Sequence, residues 1–237
     1  MPKMRIVIPA RMKSTRLPNK PLAMIGDKTL IEHVHAKACA TEFPVTVLTD
    51  SQELIDRFPN WDIRLTPEAC ATGTDRIAYV AHEFEEDILV NCQGDLPFID
   101  PYQIIDAAKT LERTGADVAT LVHEMSPGGQ EDPNTVKAIC CQVAPDIDPN
   151  IMRAHWFCRS ALKYGYHHVG VYAYKKQSLE ILSLSCDRTP HETAENLEQL
   201  RWIELGYKIA ALKTAIVPPE VNTEEDLIRA NNYYNHR

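Results

Sequence analysis

The chain has 237 residues, 44% of them hydrophobic and 24% charged, with a formal net charge of −8. That length suits one sizeable α/β domain or a domain with an appendage, a single core being the simplest, and the acidic balance argues against a general nucleic-acid binder, whose affinity comes from clustered Lys and Arg. The opening Met1–Pro9 segment lacks the long apolar run of a signal peptide and no stretch approaches a membrane span, so a cytoplasmic protein with no membrane partner is expected. The seven cysteines show no metal-type pair spacing and read as reduced thiols.

In chain order, β-branched apolar runs predict strands at Arg5–Pro9, Val45–Thr49, Ile88–Asn91, Asp117–Val122, Val136–Gln142, His168–Tyr174 and Ile209–Thr214. Helical spacing predicts helices at Leu30–Ala40, Ser51–Phe58, Asp75–Phe84, Pro101–Arg113, Lys175–Leu184, Ala194–Leu205 and Thr223–Tyr234. The early alternation implies right-handed βαβ units and a largely parallel sheet. From Val136 onward strands follow with fewer helices between them, which predicts a mixed sheet and a β-rich insertion. In such sheets ligands bind beyond the carboxyl ends of the strands, so the segments after Pro9, Thr49 and Asn91 are where a site is expected.

The motifs fall there. Arg11, Lys13, Arg16 and Lys20 lie on one loop with Ser14, Thr15 and no acidic residue. Such a loop concentrates positive charge and donors for a triphosphate, with Arg11 and Lys20 suited to neutralising a departing pyrophosphate; a solvated basic loop accounts for the same residues. It lacks the glycines of a Walker A or dinucleotide fingerprint. Thr72-Gly73-Thr74-Asp75-Arg76 reads as a helix opening, either a plain N-cap or a turn that reads the edge of a base. Gln93-Gly94-Asp95 ends a buried-type strand, where an acidic residue can hold Mg²⁺ against phosphates or can simply terminate the strand. Arg159 offers a fork of donors for a carboxylate, while His168 and Tyr172 read by themselves as core-facing strand residues. Glu198 and Gln199 lie on a predicted helix, and Asn222-Thr223 reads as a strand end and a cap.

Taken together, A-R-x-x-S-T-R-L-P-x-K-P-L, T-G-T-D-R, Q-G-D-x-P, H-V-G-V-Y, L-E-Q-L-R and V-N-T-E-E-D-L resemble, in order from Ile6 to Leu227, the blocks of the 3-deoxy-manno-octulosonate (Kdo) cytidylyltransferase family. The resemblance implies a Rossmann-like nucleotidyltransferase fold, with a mixed, mainly parallel central sheet flanked by helices and a small β-rich insertion. It implies a single domain over 1–237, in which 136–175 contributes a sugar-binding and dimerisation subregion, and a homodimer. The implied reaction joins CMP from CTP to Kdo with Mg²⁺ as cofactor, for lipopolysaccharide or other surface-polysaccharide synthesis. Arg11, Lys20 and Asp95 would be catalytic. Ala10, Arg11, Ser14, Thr15, Arg16, Lys20, Thr72, Gly73, Thr74 and Arg76 would bind the nucleotide, and Asp95 with Asn222 the metal. Gln93, Arg159, His168, Tyr172, Glu198 and Gln199 would contact the sugar.

The chain departs from the family pattern in three places. Leu96 stands where an acidic residue is usual, and Asn222 replaces the Asp that completes the family's metal site. The Ser160–His167 segment is shorter than the family's. An altered acceptor, such as an amino-substituted ulosonic acid, and a nucleotide-binding paralogue without turnover are the competing expectations.

Overall fold

A computed structural model describes residues 3–14, 16–142, 148–185, 188–217 and 219–236, with backbone alone at 182–185. It divides into two compact units, residues 1–104 with 218–237, and residues 105–217.

In the first unit β1 (Met4–Pro9) buries Ile6, Val7 and Ile8 completely, as a strand covered on both faces must. The chain then runs through a basic loop into a small hairpin, β2 (Met24–Ile25) and β3 (Lys28–Thr29). α1 (Leu30–Cys39) starts at a capping box: the Thr29 hydroxyl accepts from Glu32 N–H, and the Glu32 carboxylate accepts from Thr29 N–H at 2.8 Å. Leu30, Ile31, Val34 and Ala38 form its buried stripe. β4 (Val45–Thr49), α2 (Gln52–Arg57), β5 (Ile63–Leu65), α3 (Gly73–Val80) and β6 (Ile88–Cys92) follow. The strands order as β5-β4-β1-β6, all parallel, with Val47 opposite Ile63, Ile6 opposite Val45 and Met4 opposite Ile88. Their carboxyl ends therefore share one edge, which collects the loops after Pro9, Thr49 and Cys92. Gly94 is required there: a Cβ on it would lie 2.7 Å from the Pro9 carbonyl oxygen.

α4 (Pro101–Thr114) leads into the second unit, which contains β7 (Val118–Glu124), α5 (Pro127–Glu131), β8 (Lys137–Gln142), β9 (Ile151–Cys158) and β10 (Tyr166–Lys175). α6 (Lys176–Ser185), α7 (Pro190–Glu195), α8 (Gln199–Glu204) and β11 (Ile209–Lys213) complete it. Its strands order as β10-β7-β11-β9-β8; β7 and β11 pair in parallel, and the other pairings are antiparallel. The expected mixed sheet is present, with parallel character concentrated in the first unit. Trp202 is fully buried, edge-on to Tyr172 and Tyr174 at 5.2 and 5.4 Å between ring centroids.

The chain returns to the first unit through α9 (Glu224–Asn235), opened by a Thr223–Asp226 capping box. α9 clasps the β2–β3 hairpin: Asn231 Nδ2 donates to Met24 O at 3.1 Å, Gly26 N–H donates to Asn231 Oδ1 at 3.0 Å, and the Tyr234 hydroxyl donates to Asp27 at 2.6 Å. Leu227 and Tyr234 pack on a core of Leu17, Ile25, Leu30 and Phe98. One helix thus fixes both the segment just after Lys20 and, ahead of its own first turn, Asn222.

Each predicted strand has a counterpart. The hairpin strands, β5 and β9 were not anticipated, being short or, in β9, interrupted by Arg153 and His155. The helix expected over Ala194–Leu205 is two, because Asn196 adopts φ 53 and ends α7. Asn tolerates that left-handed conformation better than most residues.

Candidate active site

The loop after β1 is bound to the end of β4: Ala10 N–H donates to Leu48 O at 2.8 Å and Met12 N–H to the Asp50 carboxylate at 3.1 Å. Its far end is a tight turn. Asn19, left-handed at φ 51, precedes a single 3₁₀ turn at Lys20–Leu22, and Leu22 N–H returns to Asn19 O at 2.8 Å. This directs the half-buried Lys20 inward, while Arg11 and Arg16 stay exposed.

Within the first unit these residues line a cleft of ≈ 230 Å³. Ala10, Arg11, Ser14, Arg16 and Lys20 come from the loop, Thr72, Gly73 and Arg76 from the start of α3, Gln93 and Asp95 from beyond β6, and Asn222 from ahead of α9. Thr15 lies outside the described residues, and Thr74 is buried, away from the cleft wall. Gly73 lets three segments converge, since a Cβ there would sit 3.3 Å from the Pro9 ring and 3.6 Å from Gln93 Nε2.

The charged centre of the cleft is Lys20. Its ammonium donates to Asp95 Oδ2 and to Asn222 Oδ1, each at 2.9 Å, and Arg16 approaches the same amide oxygen at 3.4 Å. The Asn222 amide nitrogen donates to Glu220 at 3.2 Å, so both ends of the amide have chemically fitting partners. Asp95 and Asn222 thus each direct an oxygen at the Lys20 ammonium, and a carboxylate with an amide oxygen is a donor set of the hard kind that suits Mg²⁺. Among the described residues no group of three or more His, Cys, Asp or Glu side chains forms a metal site. Leu96 is buried and contributes no carboxylate.

Thr72 and Asp75 form a reciprocal capping box at the start of α3, which occupies the Thr72 hydroxyl and the Asp75 carboxylate. Arg76 is buried and ion-pairs with Asp50 at 3.3 Å. Lys13 and Glu68, both exposed, form an ion pair at 2.5 Å between the loop and the segment before Thr72. Asp50, Glu220 and the cleft-lining Cys70 were not anticipated. Asp50 had a signal, as the first residue after a parallel strand's carboxyl end.

In the second unit the predicted residues have other partners. Arg159 N–H donates to the Glu195 carboxylate at 2.8 Å, and its guanidinium donates to the Glu195 and Pro133 carbonyls at 3.1 and 3.2 Å. The fully buried Lys137 donates to the Arg159 and Asp132 carbonyls. His168 is buried against Phe157 and Tyr172, with Nε2 3.0 Å from the Thr120 hydroxyl. Burial, with lesser repulsion from His167 and Arg159, pushes its pKa down to about 3. Tyr172 and Gln199 are buried, and Glu198 sits half-buried at the start of α8.

A model of the cytidylyltransferase family matches residues 5–209. The 3-deoxy-manno-octulosonate cytidylyltransferase of Brucella anthropi is 40% identical over 94% of this chain and 93% of its own length, and that of Brucella ovis is 39% identical over 96% and 94%. A solved CMP:2-keto-3-deoxy-manno-octonic acid synthetase complexed with CTP superposes with a TM-score of 0.88, at 32% identity and 99% coverage of both chains. The chain belongs to the cytidylyltransferase family and, within it, to the 3-deoxy-manno-octulosonate cytidylyltransferases.

Proposed function

We propose that the protein joins CMP from CTP to Kdo, yielding CMP-Kdo and pyrophosphate for lipopolysaccharide or other surface-polysaccharide synthesis, with the triphosphate bound in the first unit's cleft. The observation that carries this reading is the convergence of Lys20, Asp95 and Asn222 beside a basic loop, in a chain of this family. The anomeric hydroxyl oxygen of the sugar attacks the α-phosphorus of CTP. The bond to the β-phosphate oxygen breaks as the new one forms, the hydroxyl proton passes to solvent, and pyrophosphate leaves. Arg11, Ser14, Thr15 and Arg16 hold the phosphates; Lys20 neutralises charge growing on the leaving group, a preorganised interaction that needs no reorganisation in the transition state. Ala10, Thr72 and Gly73 bound the base, and Thr74, buried off the cleft wall, does not touch it.

Asp95 and Asn222 would hold Mg²⁺, which supplies positive charge to the phosphate oxygens. Gln93, Arg159, His168, Tyr172, Glu198 and Gln199 serve the sugar, a role that rests on the resemblance of their motifs. The neutral His168 suits hydrogen bonding to hydroxyls rather than ion pairing with a carboxylate. A Rossmann-like arrangement with a mainly parallel sheet, a homodimer built through 136–175, and a cytoplasmic location complete the proposal; among the described residues no helix is long and apolar enough to cross a membrane.

A second reading concerns the acceptor alone. β9 and β10 are joined by the short 159–165 connection, so a bulkier or amino-substituted ulosonic acid is the alternative substrate. Mass spectrometry of products from CTP with Kdo and with an amino-substituted analogue separates the two. CMP-Kdo as the preferred product is expected, and no CMP-sugar from either acceptor overturns the proposal.

A further inference from the structure

A buried ion pair links the basic loop to the start of α3. The Arg76 and Asp50 side chains are 2% and 7% exposed and meet at 3.3 Å. The other oxygen of Asp50 accepts the Met12 N–H of the basic loop at 3.1 Å. Arg76 also donates to the Thr66 hydroxyl, which in turn donates to Thr49 O at 2.9 Å. One carboxylate thus ties the backbone of the phosphate-side loop to the guanidinium of α3, and Thr66 ties that guanidinium back to the end of β4.

We infer that Asp50 and Arg76 act as a positioning pair that sets the spacing between the basic loop and the start of α3, and that Arg76 does not read the base. This rests on the cleft being the CTP site. Arg76 reaches the cleft wall, yet its Nη1 is engaged by Thr66 and its Nη2 by Asp50, and a side chain only 2% exposed and held at both terminal nitrogens is poorly placed to turn toward a ligand. An exposed pair would contribute little, whereas removing one partner of a buried pair leaves an uncompensated charge and displaces what it was holding. Here that is the Met12 peptide and the loop leading to Ser14 and Lys20.

The pair predicts a ligand-independent defect. In Asp50→Asn one side-chain atom becomes a donor, so the residue can no longer accept from both Met12 N–H and Arg76. Arg76→Gln loses the fork from the other side. Calorimetric binding of CTP and of tripolyphosphate, which has no base, to the wild type, both single variants and the double variant is the test. Each single variant is expected to weaken both ligands by the same factor, about tenfold, with the double variant no worse than either single, and kcat at saturating CTP is expected to fall less than KM rises. A general loss of stability would not produce matched, non-additive losses in folded protein. If Arg76→Gln weakens CTP and leaves tripolyphosphate unchanged, Arg76 reads the base and the inference is wrong; additive losses in the double variant also overturn it. Should Arg76→Gln fail to fold, Arg76→Lys keeps the charge without the fork and is expected to give the same matched loss in smaller degree. Wild-type protein that binds tripolyphosphate but not CTP would instead count against the proposed function, leaving the pair to be read from tripolyphosphate alone.

Discussion

The centre of the first unit's cleft and the interior of the second unit use charge differently. In the first, Lys20 is shared among Asp95, Asn222 and an open cleft, contacts that an incoming triphosphate and a cation can replace. In the second, two of the predicted sugar residues have partners within the protein, Arg159 on carbonyl groups and His168 against aromatic rings, and Glu192, which the sequence did not single out, is fully buried between Arg188 and Arg201 at 3.4 Å each. Charges that change partners during a reaction must stay accessible, whereas charges that hold a shape are enclosed and satisfied. The first arrangement leaves its charge open to exchange, and the second holds the architecture of its own unit.

The largest effect expected to sharpen that contrast comes from Glu192→Ala. It leaves Arg201 buried without its carboxylate, so urea unfolding should show a loss of about 3–5 kcal/mol, while CTP affinity of the folded protein stays within about twofold. A large loss of CTP affinity with little loss of stability would break the contrast.

His168 predicts a smaller, pH-dependent effect. Its folded pKa of about 3 lies below the ordinary 6.5, so the unfolded chain binds the proton first as pH falls. The contribution of neutral His168 is therefore fully present above pH 6.5 and is lost progressively toward pH 3. Between pH 6.5 and 5 this amounts to about 2 kcal/mol. Urea midpoints measured across that range should fall in the wild type and flatten in His168→Gln; equal slopes would show that the ring is not buried neutral.

The smallest expected effect is at Asn222→Asp. Restoring a carboxylate opposite Asp95 should lower the Mg²⁺ concentration needed for half-maximal CTP binding by about fivefold, roughly 1 kcal/mol. A calorimetric metal titration reads this directly, and an unchanged requirement would place the metal away from Asn222.

The fold was largely legible because β1, β4 and β6 are continuous apolar runs and because Thr29, Thr72 and Thr223 open helices by side-chain chemistry written locally in the sequence. What sequence alone did not reveal depends on distance through space. β9 alternates only briefly, and a lone Asn196 gives little warning of a left-handed break. Asp50 acquires its role only when β4 lies beside β1 and Arg76 folds back over it. The Lys20, Asp95 and Asn222 cluster was readable as separate motifs, but Lys20 bridging the two oxygens is a property of the fold. The motifs at Arg159 and His168 carried a family resemblance without revealing that His168 is buried and that the Arg159 guanidinium is held by nearby carbonyls.

Nucleotidyl transfer in the first unit's cleft, as proposed, depends on Lys20. Pyrophosphate release from CTP, measured with Kdo and Mg²⁺ for the wild type and Lys20→Ala under saturating substrates, tests it most directly. A fall in kcat of about 10²–10³-fold is predicted, the weight of one lost charge-stabilising contact in a preorganised site. Release at an unchanged rate in Lys20→Ala would contradict it.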